Sequence, residues 1–484
     1  MEWIIVVVYC TALLAIFLFS LGQLHLTWIY TRPRSQEATF FDHNFLPVVT
    51  IQLPIFNEKY VAERLIDCIV KLDYPIDKLE IQVLDDSIDE TVEIIKKKVS
   101  LYQSQGFDIH HIQRKDRKGF KAGALAYGTS FCKGEFTAIF DSDFLPNEGF
   151  LKNTVGYFVN DKIGMVQTRW GHVNKNYSIL TEMQAFGLDA HFTVEQGGRN
   201  RSGSFINFNG TAGIWRKSCV LDAGGWSADT LTEDLDLSYR AQLKGWQFQF
   251  DESIESPAEL PVIMSAIKSQ QYRWNKGAAE TAKKNLFNVF KSNQSIKTKV
   301  HAAMHLLNSS VFVLLLAASI LSIPMLYIKS SNPSLEWLFN LGSVFLIGFF
   351  SISAFYYVGL KQVEKVKTKS LFLKRFPLFL SFSMGLALHN AVAVMEGFLG
   401  FKTPFIRTPK FNITQKTESW VGNQYIKPKL TWGTMVEGLL CGYFIWGIVS
   451  AWLLHDFGLI IFHVMLAIGF GIVFYHSLKY IKHV

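Results

Sequence analysis

The sequence predicts an α/β protein whose mostly parallel sheet is inserted in an α-helical transmembrane region of about five spans plus interfacial helices. Three observations lead there. Between residues 47 and 290, short β-rich runs alternate with helical ones, the spacing expected of strands joined by helical crossovers. Apolar runs long enough to cross a bilayer stand before and after that region. Of 484 residues, 49% are hydrophobic and only 18% charged, and the mean hydropathy is +0.18. That composition suits a chain with much of its surface in lipid.

The first apolar run, residues 3–22, is followed by Arg32 and Arg34 rather than by a small-residue cleavage site. It is expected to be a retained signal anchor. Further spans are expected at 302–328, 335–360, 433–454 and 457–478. The stretch 371–400 is apolar enough to cross, yet it carries Lys374, Arg375, Pro377, His389, Asn390 and Glu396. Lys and Arg crowd 361–375, 402–429 and the tail around Lys479 and Lys482. Placing all three on the cytosolic side makes 371–400 lie in the interface or re-enter. The expected organisation is an anchor (1–32), a cytosolic domain (47–290), two spans (300–360), interfacial helices with a loop (371–432), and two spans with a short tail (433–484). The net charge of +8 is then explained by topology and anionic lipid rather than by nucleic acid. Five scattered cysteines with no CxxC pair argue against a disulfide framework or zinc site and suit a reducing cytosolic face.

Strands are expected at Val48–Leu53, Glu80–Leu84, Ile109–Gln113, Thr137–Phe140 and Ile163–Gln167. Helices are expected at 58–71, 89–103, 119–130 and 147–159. Open α/β sheets bind ligands beyond the carboxyl ends of their strands. Asp85 and Asp86 follow the second run, and Asp141 and Asp143 the fourth. No GxGxxG follows the first strand, so a dinucleotide fingerprint is absent.

Asp141-Ser-Asp143 can share one Mg²⁺ or Mn²⁺ and leave its other positions to phosphate, or it can be a solvated turn. Asp86 can hold a nucleotide's base or ribose, or cap the helix that follows. Lys121, early in the helix between these acids, can meet phosphate or lie on the surface. Thr232-Glu-Asp234 precedes the helical run Leu235–Leu243. Thr232 can be an N-cap with two acids suited to the helix dipole, or Asp234 can be a general base. In Gln270-Gln-Tyr-Arg-Trp274, the residues Gln270, Arg273 and Trp274 share one helix face. They offer a fork for diphosphate and an indole for a sugar ring; an amphipathic helix at the membrane surface is the other reading.

Taken in order, Asp86, Asp141-x-Asp143, Asp234 and Gln270-x-x-Arg273-Trp274 resemble the D, DxD, D, QxxRW pattern of processive family 2 glycosyltransferases. The stretches IQLPIFNE (51–58), LDDSIDET (84–91), FKAGAL (120–125), FDSDFLP (140–146), VQTRW (166–170), LDAHFTVEQ (188–196), FNGTAGIWR (208–216), AGGW (223–226), TEDLDLSYRAQLKGW (232–246) and ELP (259–261) are similar to the cellulose-synthase-like A β-mannan and glucomannan synthases. The resemblance implies a GT-A-type nucleotide-sugar-binding domain. It also implies an inverting transfer from GDP-mannose, with GDP-glucose or UDP-glucose as alternative donors, onto a growing β-linked polysaccharide extruded through the spans. In that scheme Asp234 is the base, and Asp86, Lys121, Asp141, Asp143 and Arg273 hold the donor, with the metal on Asp141 and Asp143. Asn209, Gly210, Gln270 and Trp274 hold the acceptor.

Phe411-Asn-Ile-Thr-Gln-Lys416 is similar to the FxVTxK gating loop of bacterial cellulose synthase, which implies that Thr414 and Lys416 reach the diphosphate when the loop closes. The preceding Arg407-Thr-Pro-Lys410 departs from the aromatic-rich plant version and leans towards a bacterial inner membrane rather than a Golgi membrane. With so few residues beyond the last span, control by a cyclic-di-GMP-binding domain is not expected. The alternatives are a UDP-glucose-dependent β-glucan synthase, a non-processive glycolipid transferase and a non-catalytic membrane protein.

Overall fold

The computed structural model describes residues 2–33, 40–425 and 430–479; Arg34 and Lys482, used in the topology argument, lie outside them. Its centre is a seven-stranded sheet of β1 (Val49–Ile55), β2 (Leu79–Asp85), β3 (Asp108–Gln113), β4 (Phe136–Ile139), β5 (Ile163–His172), β6 (Gly213–Arg216) and β7 (Gln247–Ala258). The order is β3-β2-β1-β4-β6-β5-β7. Strand β6 runs antiparallel to β4 and β5, and the other pairs are parallel. The sheet is therefore mixed but mostly parallel, as expected.

The first five strands fall on the expected runs. β1 and β2 are buried on both faces, which is why their apolar runs are nearly unbroken. The polar residues inside them are paired across the register. Thr50 donates to Glu80 at 2.5 Å, and Gln52 to Gln82 at 3.0 Å. β6 and β7 were not expected from the sequence. The four residues of β6 begin with Gly, and β7 carries Asp251, Glu252, Glu255 and Pro257. All of these are poor strand formers, so pairing with β4 and β5 overrides local preference.

Helices α1 (Glu2–Thr31), α2 (Ala62–Ile69), α3 (Thr91–Ser104) and α4 (Phe120–Thr129) match expected runs. The helix expected at 147–159 is instead a series of turns ending in the 3₁₀ segment Val155–Val159. Gly149, Asn153 and Gly156 lower helix propensity there. Three further helices frame the ligand side: α5 (Ile179–Ala190), α6 (Glu233–Leu243) and α7 (Met264–Lys291).

Among the described residues, five helices are long and apolar enough to cross a membrane. They are α1, α8 (Val311–Ser331), α9 (Leu346–Val363), α12 (Trp432–Leu453) and α13 (Ile460–Lys479). The ambiguous stretch forms α10 (Thr368–Gly385) and α11 (Ala387–Leu399), a pair bent by 50° that is either a broken span or a re-entrant element. The chain is thus a membrane protein.

Helices α10 and α13 touch backbone to backbone: a Cβ added at Gly469 would lie 1.9 Å from the Ser381 carbonyl oxygen. Small residues permit such crossings in lipid. Gly469→Ala is expected to destabilise the purified protein by about 1–3 kcal/mol through overpacking. Gly442→Ala on α12, where a Cβ meets nothing within 4 Å, should not lower the melting temperature. Equal melting temperatures for both variants would contradict this packing.

Candidate active site

The carboxyl ends of β1, β2 and β4 open onto a cleft. Asp86, Lys121, Asp141, Asp143, Asn209, Gly210, Asp234, Gln270, Arg273 and Trp274 all line it. Thr414 and Lys416 do not. Thr414 N–H donates to Glu418 at 2.5 Å, and both side chains are exposed. The same segment instead sends Arg407, Thr408 and Lys410 into the cleft.

Asp86 directly follows β2, and the Arg114 guanidinium grips it through both oxygens, with Nε to Oδ1 at 2.9 Å. Arg114 also donates to the Phe120 carbonyl at 3.0 Å, so this pair ties the exit of β3 to the start of α4. Beside it the Arg117 guanidinium covers the Phe56 ring at 3.3 Å. Lys121 Nζ lies 2.5 Å from Asp141 Oδ1 and 2.9 Å from the Gly210 carbonyl oxygen. Burial opposes the ammonium, but Asp141, Glu233 and Asp234 outweigh it and hold the Lys121 pKa above its ordinary value.

Asp143 is 2% exposed. Its Oδ2 accepts from Lys410 at 2.8 Å, while its Oδ1 is buried with no partner. Two acids missed by the sequence reading face the same space. Glu58 pairs with Arg407 at 2.9 Å, and Glu259 accepts the backbone N–H groups of Phe411 and Asn412, each at 2.9 Å. Burial pushes both carboxyls up to about 7. Both sit in stretches quoted above, at the ends of IQLPIFNE and the start of ELP, where no spacing rule distinguishes a site carboxylate from a surface one.

Asp234 opens α6 beside Glu233. Burial and then the neighbouring Glu233 charge raise its pKa to about 7, against the opposing pull of Lys121. Its Oδ1 accepts the Leu235 N–H at 2.8 Å. Gly210 sits at φ +81°, and a Cβ there would lie 3.0 Å from Asp234 Oδ2 and 3.4 Å from Lys121 Nζ. Both backbone and space demand glycine. Next to it, Asn209 is held by His191 Nε2 at 3.1 Å and by the Gln196 side-chain N–H at 2.7 Å.

Thr232 occupies the N-cap position of α6, but its side chain makes no capping bond. Its hydroxyl meets that of Thr281 at 3.1 Å, and a Cβ on Gly277 would lie 2.5 Å from its methyl group. The start of α6 is thereby seated on α7, one turn from Trp274. Gln270, Arg273 and Trp274 share the cleft face of α7, as the i, i+3, i+4 spacing predicts. Trp274 stands 6.4 Å from Trp170, and Arg273 donates to Thr408 at 2.7 Å.

The orphaned Asp143 Oδ1 and the nearby Asp141 are hard oxygen donors suited to Mg²⁺ or Mn²⁺. Among the described residues, no group of three or more His, Cys, Asp or Glu side chains could hold a metal. Phosphate and water oxygens would have to complete the shell.

A mixed, mostly parallel sheet with its acids gathered in a cleft beside a helix facing apolar spans has the GT-A architecture of glycosyltransferases. A mannosyltransferase from Pyrobaculum calidifontis, solved in complex with GDP-Man and Mn²⁺, shares the fold. Its TM-score is 0.54 at 17% identity, over 76% of this chain and 100% of that one. Residues 47–277 match the family model described as "Glycosyltransferase like family 2". It is 41% identical over 261 residues to glucomannan 4-beta-mannosyltransferase 1 of Oryza sativa subsp. japonica, covering 53% of this chain and 50% of the relative. It is 43% identical over 261 residues to glucomannan 4-beta-mannosyltransferase 9 of Arabidopsis thaliana, covering 53% and 49%. The chain spans about half the length of the curated relatives it matches.

Gly210→Ala tests the crowding around Asp234. A Cβ 3.0 Å from Asp234 Oδ2, on backbone at φ +81°, should destabilise the purified protein by about 1–3 kcal/mol. A melting temperature equal to that of the wild type would show that the contact is loose.

Proposed function

We propose that the chain is an inverting, processive hexosyltransferase that polymerises β-1,4-linked mannan or glucomannan from GDP-mannose and passes the product across the membrane. Its family 2 domain, residues 47–290, would face the cytosol, with 371–400 along the interface. The observation that carries this reading is the half-buried Asp234 carboxyl. It faces Gly210 and Lys121 in a cleft that also holds Asp141 and Asp143, and relatives about 40% identical over half the chain are glucomannan mannosyltransferases.

In this scheme Asp141 and Asp143 would hold Mg²⁺ or Mn²⁺, which when bound neutralises the donor's diphosphate. Lys121 and Arg273 supply further positive charge to the phosphates. Asp86, fixed by Arg114, and the Arg117–Phe56 stack border the nucleoside side. Gln270, Trp274 and Asn209 hold the acceptor's terminal sugar, the indole against its apolar face. Asp234 takes the proton of the acceptor hydroxyl as that oxygen bonds to the anomeric carbon. The bond to the diphosphate breaks, the nucleoside diphosphate leaves with the electron pair, and the configuration inverts. Thr414 and Lys416 would reach the diphosphate only if their segment moves inward.

Membranes containing the protein, given labelled GDP-mannose or UDP-glucose with Mn²⁺, test the reading. High-molecular-weight product from GDP-mannose that mannanase degrades and cellulase does not is the expected result. Product only from UDP-glucose would make it a β-glucan synthase, and short product confined to lipid would make it a non-processive transferase.

Asp234→Asn should lower the rate by about 10²–10⁴-fold, and an unimpaired variant would remove the assigned base. A base must be deprotonated, and this carboxyl is raised to about 7. Accordingly, kcat/KM should climb as pH rises through about 7 and then level off. A profile already flat from pH 5 upward would contradict the assignment.

A further inference from the structure

Lys410 belongs to a strap, residues 403–412, that crosses the cleft and is pinned at both ends. At one end the two oxygens of Glu259 accept the adjacent N–H groups of Phe411 and Asn412, each at 2.9 Å. Phe411 and Ile413 are buried in an apolar cluster with Met264, Ile267 and Phe382. At the other end Phe405 stacks on Phe120 with ring centroids 5.6 Å apart, and the Arg273 guanidinium lies 4.8 Å from the Phe405 ring. Between these anchors Arg407 reaches Glu58 and Lys410 reaches Asp143. The anchoring fixes the register, so the lysine's position follows from the residue beside it being latched to Glu259.

The ammonium satisfies only half of its partner. It sits 2.8 Å from Asp143 Oδ2 and leaves Oδ1 buried without a hydrogen bond. A buried carboxylate with no counter-charge is costly, so a cation has to be present whether or not a donor is bound. A single monovalent contact supplies that charge while keeping one oxygen lone pair uncommitted. Asp141 is treated alike, with Lys121 on its Oδ1.

We infer that Lys410 is a built-in stand-in for the divalent cation: it neutralises Asp143 in the resting cleft and must leave that carboxylate when the metal-bound diphosphate enters. This rests on the proposal that Asp141 and Asp143 receive a metal-diphosphate. Asp143 then never faces the cleft without a counter-charge. Metal and lysine compete for the charge of one carboxylate, and the strap's cations are freed for the incoming phosphates as the metal arrives.

The competition can be read without sugar transfer. Mn²⁺ binding to the purified full chain, without nucleotide, is measured from the paramagnetic resonance of free Mn²⁺ for the wild type, Lys410→Met and Lys402→Met. Lys402 is an exposed lysine at the strap's edge. Removing the competing charge should make Lys410→Met bind Mn²⁺ about tenfold tighter. Lys402→Met should match the wild type, and adding Asp143→Asn to Lys410→Met should abolish the gain. Equal or weaker Mn²⁺ binding by Lys410→Met, or no binding by either protein, overturns the inference. If Lys410→Met tightens Mn²⁺ while no mannan is made from GDP-mannose, the polymer assignment fails and this inference stands.

Discussion

Neutralisation of crowded carboxylates is the constraint on which the rest of the site depends. Asp86, Asp141, Asp143, Glu58, Glu233, Asp234 and Glu259 share one cleft, and like charges at this density repel strongly once water is reduced. The cations that offset them come from distant parts of the chain. Arg114 follows β3, Lys121 opens α4, and Arg407 and Lys410 arrive on the strap between α11 and α12. The cleft therefore holds its shape only when sheet, crossover helix and strap are all in place. Such a set of acids is also ready to accept a cation and the phosphates that accompany it.

Helix α7 makes this cleft a property of the membrane assembly. Its Gln270, Arg273 and Trp274 face the cleft, while its other faces are bonded to membrane-region helices. Lys268 pairs with Glu437 of α12 at 2.6 Å, His389 of α11 bonds the Lys268 carbonyl at 2.8 Å, and Lys276 lies 3.4 Å from Glu396 of α11. Gly277 and Thr281 of the same helix seat the start of α6, which carries Asp234. One helix thus positions Trp274 and Asp234 relative to each other and to the apolar spans. The proposed passage of product through those spans requires this coupling.

Much of this was legible in the sequence because it is local. The strand runs of β1 to β5 and the acids that end β2 and β4 lie within a few residues of one another. The shared face of Gln270, Arg273 and Trp274 follows from helical spacing alone. What was not legible depends on partners far apart. Glu259 meets Phe411 across 152 positions, and Glu58 meets Arg407 from the opposite end of the fold. The strap illustrates the point. Its resemblance to a gating loop drew attention to Thr414 and Lys416, whereas the residues inside the cleft are Arg407, Thr408 and Lys410, part of the run that departs from that pattern. Strand β6 was missed for a related reason: its four residues earn their conformation only by pairing with β4 and β5.

The central claim is that these acids form the seat of a metal-bound nucleoside diphosphate. Determining the structure of the full chain with GDP and Mn²⁺ tests it most directly. The account predicts a cation at about 2.0–2.6 Å from carboxylate oxygens of Asp141 or Asp143, phosphates against Lys121 and Arg273, and Lys410 no longer on Asp143. A nucleotide bound elsewhere, with Lys410 still holding Asp143, would contradict it.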